Sequence, residues 1–464
     1  MNVKTRFAPS PTGLIHFGNV RTALFNWLFA QRQNGQFLLR IEDTDLERSR
    51  DEYVQALMGD LEWLGLGWDE GETKKGVLGP YRQSQRTVVY ESYLHELEKR
   101  DHAYPCFCSV AELEISRKLQ AQAGKPPRYS GKCAHLSADE AAQKKAAGQA
   151  YTLRFRMPRN AVLEFSDLVR GPQRCISEDI GDFIIRRSDG TFAFFFVNAI
   201  DDALMQVTHV LRGEDHLTNT PRQIALLETL GLSVPSYGHI SLIVNDKGAP
   251  LSKRSGSMSI EDLRKQGYFP LAINNYLARL GHHYEGEHLL DMAQLAQGFK
   301  LESLGRAPAR YERSQLDHWQ ALALHRATDD ELWSWMSEVV GDRVSDKDAA
   351  AFVPVVRHNI LFPVDALVWA HALFNDFPDY SNEAIQVIEK TDRNFFSRAS
   401  SLIDQGMDFP LFAQQVKSAT GCSGKSLFMP LRAALTGNVH GPEMPGFFKL
   451  LGFDRAKARL MRLS

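Results

Sequence analysis

Ala8-Pro9-Ser10-Pro11-Thr12-Gly13 constrains this chain more than any other stretch. It follows Lys4–Phe7, which reads as a strand, and two prolines with a glycine cannot continue that strand, because proline lacks an N–H and locks φ. The chain must leave in a loop. Past Gly18 the apolar residues Val20, Ala23, Leu24, Trp27 and Leu28 recur at helical spacing. Gln36–Ile41 reads as a short buried strand ending in Glu42-Asp43-Thr44-Asp45. Ser49 and Glu52, in capping-box spacing, open a second helix through Val54, Leu57, Met58, Leu61 and Leu64. The order strand–loop–helix–strand–loop–helix predicts a βαβα unit of a parallel sheet.

Residues 106–190 break that rhythm with clustered cysteines, polar helices and many Gly and Pro, and read as an insertion. Phe183–Arg187, Ser188-Asp189-Gly190 and Thr191–Val197 predict a hairpin. Thr220-Pro221 opens a helix carrying Ile224, Leu227 and Leu230, and His239–Val244 is a further strand. From about residue 260 helical periodicity dominates, as in Leu271, Ile273, Tyr276 and Leu277, and again in Leu332, Trp333 and Met336. The expected fold class is α/β: a Rossmann-type parallel-sheet domain over 1–90 and 191–243, an insertion over 91–190, a connecting region over 244–325, and a helical domain over 326–464.

The 464 residues, 44% apolar and 24% charged, are enough for about three soluble domains. No apolar run is long enough to cross a bilayer and Met1–Arg6 is no secretory signal, so a cytoplasmic location and no membrane partner are expected. An odd count of five cysteines argues against a disulfide framework. Net charge is −2, so nucleic-acid binding would need a local basic stripe. Arg117, Lys118, Lys125, Arg128 and Lys132 form one, and Lys449, Arg455, Lys457, Arg459 and Arg462 form another; each fits a solvated face as well as RNA contact.

Three constellations carry chemistry. The strand-to-helix loop holding His16, Gly18 and Asn19 suits phosphate, because a helix N-terminus offers unpaired N–H groups and a partial positive charge. Ser252, Lys253 and Arg254, in Pro250-Leu251-Ser252-Lys253-Arg254-Ser255-Gly256, suit a second clamp on polyphosphate. Cys106-x-Cys108 and Cys133-x-His135 offer three sulfurs and one nitrogen, a set suited to one structural, tetrahedral zinc. Gly424-Lys425-Ser426 resembles the end of a P-loop, but Ala419 stands where that motif needs glycine.

The pairing of His16-x-Gly18 with Leu251-Ser252-Lys253-Arg254 resembles the nucleotide motifs of class I aminoacyl-tRNA synthetases. Arg6–Gly13, Arg40–Asp45, Gly79–Ser84, Leu211–His216 and Leu427–Gly437 narrow the resemblance to bacterial glutamyl-tRNA synthetases, over nearly the whole chain. The resemblance implies an ATP- and Mg2+-dependent ligase that makes glutamyl-adenylate and passes glutamate to the 3′ end of tRNA(Glu), with charging of tRNA(Gln) left open. It implies a zinc-bearing insertion near the acceptor end of tRNA, a stem-contact region and a helical anticodon-binding domain; a monomer is expected. It assigns His16, Lys253 and Arg254 to catalysis, and His16, Gly18, Asn19, Ser252 and Lys253 to ATP. To glutamate it assigns Arg6, Ala8, Ser10, Glu42, Phe194, Asn198 and Arg212. Two arginines suit a substrate with two carboxylates, and Glu42 suits its amine. Thr44, Asp45 and Arg48 would meet the terminal adenosine of tRNA.

The sequence departs from that pattern twice. Phe194 stands where the family carries Tyr, which removes a phenol hydrogen bond, and Pro250 stands where relatives carry Lys, which removes a phosphate-facing cation. Among rival readings, a glutaminyl-tRNA synthetase would carry β-barrel anticodon domains, and a truncated tRNA-modifying relative would lack the helical half. A small-molecule nucleotidyltransferase leaves the cysteines unexplained. A catalytically dead RNA-binding protein would have no use for His16, Lys253, Arg6 and Arg212.

Overall fold

A computed structural model describes residues 2–45, 47–74, 76–124, 127–251 and 258–464. They fall into two compact units, Met1–Asp262 with Ile273–Arg313, and Leu263–Ala272 with Ser314–Ser464. In the first unit the main elements run β1 (Lys4–Phe7), α1 (Phe17–Arg32), β2 (Gln36–Leu39), α2 (Asp51–Trp63), α3 (Thr87–Lys99), β3 (Ala103–Cys106), α4 (Val110–Gln122), α5 (Ala138–Ala146), β4 (Thr152–Phe155), β5 (Val162–Asp167), β6 (Gly171–Ile176), α6 (Ser177–Ile180), β7 (Phe183–Arg186), α7 (Phe194–Leu204), β8 (His209–Gly213), α8 (Thr220–Leu230) and β9 (Ser236–Ile240).

β1 pairs in parallel with β2 across the crossover helix α1, with Arg6 opposite Leu38. β8 pairs in parallel with β9 across α8, whose Pro221 sits in its first turn. Thr208, just before β8, joins the two pairs: its N–H donates to the Lys4 carbonyl at 2.9 Å, and its Oγ1 accepts from the Lys4 N–H at 2.8 Å. All four residues of β1 are buried, as a strand covered on both faces requires. Of the residues picked out by helical spacing in α1, Val20, Ala23, Leu24 and Leu28 are buried and Trp27 is half-buried; Phe25, Asn26 and Phe29 are buried as well. The carboxyl ends of β1, β2, β8 and β9 therefore share one edge, where ligands of open parallel sheets bind.

Two local expectations are corrected. α2 begins at Asp51 with Arg50 at the cap and no side-chain cap bond, so Ser49 and Glu52 form no capping box; Asp51 and Glu52 complement the helix dipole instead. The hairpin keeps its turn, with Gly190 at φ 87° and the Arg187 N–H donating to the Thr191 carbonyl at 2.8 Å, but Phe194–Leu204 is helix. Its aromatic run suits a strand, yet a strand would send Asp201 and Asp202 to opposite faces. In the helix Asn198, Asp201 and Asp202 stand at i, i+3 and i+4, share one face and are all buried.

The segment between α3 and α7 carries an antiparallel sheet in the order β3-β4-β7 and the β5–β6 hairpin. Its helices α4 and α5 have no buried residue, and each is closed by a capping box, Ser109 with Glu112 and Ser137 with Glu140.

The second unit is helical throughout its described residues. Its core includes Leu332, Met336, Phe352, Phe396, Phe412, Leu431 and Phe447. Arg459, expected in an exposed basic stripe, is buried instead and donates to the carbonyls of Ala372 (2.7 Å), Asn375 (2.6 Å) and Asp376 (3.0 Å). No described helix is long and apolar enough to cross a membrane.

Candidate active site and cysteine cluster

A cleft of about 480 Å³ opens at the carboxyl edge of the parallel strands. Its lining takes Arg6, Ala8 and Ser10 from β1 and the loop beyond it, and His16, Gly18 and Asn19 from the mouth of α1. Glu42 comes from beyond β2, Phe194 and Asn198 from α7, and Arg212 from β8. No acidic residue occupies the first turn of α1, so nothing there opposes an anion. A Cβ at Gly18 would stand in ordinary van der Waals contact with the His16 ring, 3.4 Å from Cε1.

Pro250 and Leu251 line the same cleft, while Ser252, Lys253 and Arg254 lie outside the described residues. Beyond that segment Ser259 bridges to His16, and the Ile260 N–H donates to the Ile15 carbonyl at 3.1 Å. One flank of the expected second phosphate loop thus shares the cleft with the first, and the other is bonded to it. Thr44, Asp45 and Arg48 do not line the cleft. They follow Glu42 in a loop where Arg48 Nε donates to Asp45 Oδ2 at 2.7 Å, and the Arg48 side chain is 74% exposed.

Beneath the cleft lies a buried charge network. Asp202 accepts from Arg40 at 2.7 Å and Arg6 at 3.2 Å. Asp201 accepts from Arg86 at 2.7 Å, the Tyr90 hydroxyl at 2.7 Å and Gln83 at 3.0 Å. Glu42 accepts from Asn198 at 2.5 Å and Arg40 at 3.2 Å. Burial pushes the Glu42 carboxyl above the ordinary range although Arg40 and Arg6 oppose it. For Asp202 the two arginines outweigh burial and the carboxyl is held low.

Arg212 differs from those three arginines. It is buried, yet its hydrogen-bond partners are all neutral: His239 Nε2 at 3.2 Å, Thr220 Oγ1 at 2.8 Å and Gln223 Oε1 at 2.7 Å. Nη1 has no hydrogen-bond partner among the described residues. Burial brings the Arg212 pKa down to about 10, so it is still a cation at neutral pH. A buried cation without a carboxylate against it is costly unless a ligand supplies the anion.

Phe194 completes one wall, its ring centroid 5.4 Å from that of His216. Burial first, and Arg212 second, push the His216 pKa down to about 4, so this imidazole is neutral at pH 7.

Away from the cleft, ligand atoms of Cys106, Cys108 and Cys133 all lie within 4.8 Å of one another, with Cys108 Sγ 3.7 Å from Cys133 Sγ. His135 is not among them; it is exposed. Cys133 and His135 share a tight turn, in which residues two apart point away from each other, whereas an extended segment would have aligned them. The group that meets the sulfurs is the Tyr129 hydroxyl, 3.3 Å from Cys106 Sγ and 3.7 Å from Cys108 Sγ. Three clustered thiols with a phenol oxygen fit a zinc ion by donor chemistry and spacing.

Sequence reasoning missed Arg40, Arg86, Asp201, Asp202, Tyr129 and His239. The available signal was Asn198, Asp201 and Asp202 at helical spacing inside an otherwise apolar run.

Residues 2–318 match the model of the catalytic domain of tRNA synthetases class I (E and Q), and residues 323–463 match an anticodon binding domain. Similar chains include glutamate–tRNA ligase 2 of Alkalilimnicola ehrlichii, 55% identical over 99% of this chain and 97% of that one. Glutamate–tRNA ligase 2 of Nitrosococcus oceani is also 55% identical, with the same coverage. Among solved structures, a glutamate tRNA ligase from Elizabethkingia meningosepticum in complex with its amino acid superposes with a TM-score of 0.90 at 27% identity, covering 100% of this chain and 99% of that one.

Proposed function

We propose, from the premise that this chain belongs to the class I tRNA synthetases of the glutamate and glutamine group, that it is a glutamate–tRNA ligase acting as a cytoplasmic monomer. One observation carries the choice of amino acid: Arg212 lines the cleft as a buried cation whose partners are all neutral. Set against the side-chain end of the substrate, that cation takes a carboxylate better than the carboxamide of glutamine, because only the carboxylate brings a negative charge there.

In this reading Arg6 and Arg212 hold the two carboxylates of L-glutamate and Glu42 takes its amino group, with Ala8, Ser10, Phe194 and Asn198 shaping the pocket. The α-carboxylate attacks the α-phosphorus of ATP in line, forming glutamyl-adenylate and releasing pyrophosphate. The 3′-terminal ribose hydroxyl of tRNA then attacks the acyl carbon and AMP leaves. The first step needs alignment and charge stabilisation rather than an acid or base. The start of α1 with His16, Gly18 and Asn19 receives the phosphates, and Ser252, Lys253 and Arg254 act from the second loop. Mg2+ accompanies ATP and neutralises charge on the triphosphate. Thr44, Asp45 and Arg48 meet the terminal adenosine of tRNA.

Residues 91–190 receive the acceptor end, 244–325 contact the stem and 326–464 read the anticodon. A second cleft, lined by Arg117, Arg128, Arg154, Arg187 and Arg222, supports the first of these assignments by offering cations to a phosphate backbone. Cys106, Cys108 and Cys133 hold a structural zinc, with the Tyr129 hydroxyl as the oxygen in reach.

The test is aminoacylation with purified tRNA(Glu) and, separately, tRNA(Gln), each with glutamate and with glutamine. Glutamate joined to tRNA(Glu) and no transfer of glutamine is expected; transfer of glutamine alone would overturn the assignment.

A further inference from the structure

Resting on the reading of Arg212 as a carboxylate grip, we propose that Asp167 and His239 are positioning residues that set which face Arg212 offers to the amino acid. Asp167 ends β5, His239 lies in β9, and both side chains are fully buried. Asp167 Oδ2 stands 2.5 Å from His239 Nδ1. Asp167 Oδ1 is already taken by the backbone N–H groups of Val169 (2.9 Å), Arg170 (2.7 Å) and His239 (3.2 Å). On the far side of the ring, His239 Nε2 meets Arg212 Nε–H at 3.2 Å and the Thr220 hydroxyl at 3.0 Å. A guanidinium only donates, so Nε2 must carry the lone pair and Nδ1 the proton.

The carboxylate of Asp167 selects that tautomer, because it only accepts. A proton on Nε2 would set two donors face to face and turn Arg212 away. The guanidinium is held from the remaining sides by Thr220, by Gln223 and by the Tyr237 ring, 5.1 Å below it. Nη1 alone is left without a partner among the described residues. Burial lowers the pKa of His239 and keeps it neutral, as its acceptor role requires.

Asp167→Asn tests this. The asparagine Oδ1 keeps the three backbone bonds, so its NH2 faces His239 Nδ1, which must then accept, and the ring proton moves to Nε2 against Arg212. The expected result in tRNA charging is a KM for L-glutamate raised about tenfold or more, with KM for ATP within about twofold of the wild type. His239→Leu, which offers Arg212 no acceptor, should match it. His239→Gln, whose Oε1 can stand where Nε2 stood, should hold the glutamate KM within about threefold of the wild type.

A folded Asp167→Asn with unchanged glutamate KM overturns the proposal. Equal rises in the glutamate and ATP constants also overturn it, since they mark a merely structural role. Should Asp167→Asn fail to fold, equal glutamate KM values in His239→Gln and His239→Leu overturn it just as well. A wild-type enzyme that charges no glutamate defeats the underlying reading instead, and shows this before any substitution is made.

Discussion

The charged floor of the cleft and the cysteine cluster solve opposite problems. In the floor, Arg6, Arg40 and Arg86 each face a carboxylate of the chain itself, deep inside a unit with ample apolar core. At the cluster the buried core among the described residues is Tyr104, Cys106, Cys133 and Ala134, and the described residues of the flanking helices α4 and α5 are not buried. A thick core can hold ionic groups whose partners are built in. A thin one cannot stabilise its own fold by burial, and there a ligand from outside does more. Arg212 is the intermediate case: it is inside the thick region, yet one nitrogen and one charge are left for a substrate.

The largest expected effect tests the built-in side of this contrast. Asp201→Ala would leave Arg86 without its carboxylate and the Tyr90 hydroxyl and Gln83 without an acceptor. Removing one partner of a buried pair typically costs about 3–5 kcal/mol, because the other charge is left uncompensated. Urea unfolding followed by a probe in the first unit should show a loss of that size. A loss below about 1 kcal/mol would mean that water reaches the floor and that its burial has little weight.

The next effect tests the outside-ligand side. The purified chain should carry zinc, and stripping it with a chelator should loosen residues around Cys106, Tyr129 and Cys133 while β1, β2, β8 and β9 stay protected. A fall of about 2 kcal/mol in local opening free energy corresponds to roughly 30-fold faster amide exchange. Cys133→Ser should give the same pattern. Exchange that quickens equally in the parallel strands would erase the distinction between the two regions.

The two regions also differ in how legible they were. The parallel strands, α1 and the glycine- and proline-bearing loop between β1 and α1 follow from local rules, since each signal lies within a few residues. The cleft residues were reachable through motif resemblance. The charge network was not, because Arg40, Arg86, Asp201 and Asp202 meet only when three separate segments fold together. His135 was misread for a related reason. Spacing in sequence says which residues are close, but not which way each points: His135 is exposed, and the Tyr129 hydroxyl meets the sulfurs instead.

The smallest expected effect concerns Phe194, where the wall of the cleft offers the substrate no hydrogen bond. Its ring packs against Phe195 and against His216, which lines the same cleft, so it is held in place by its neighbours. Phe194→Tyr adds one hydroxyl at the ring tip, and a single net hydrogen bond contributes about 1 kcal/mol. The expected outcome is therefore a KM for glutamate lowered about fivefold in tRNA charging, with ATP unaffected. An unchanged or higher KM would show that the chain has already compensated for the missing phenol, and the nearest source of compensation is the wall formed with His216. Such a result would move Phe194 to the self-sufficient side of the contrast, where the partner a group needs is already part of the fold.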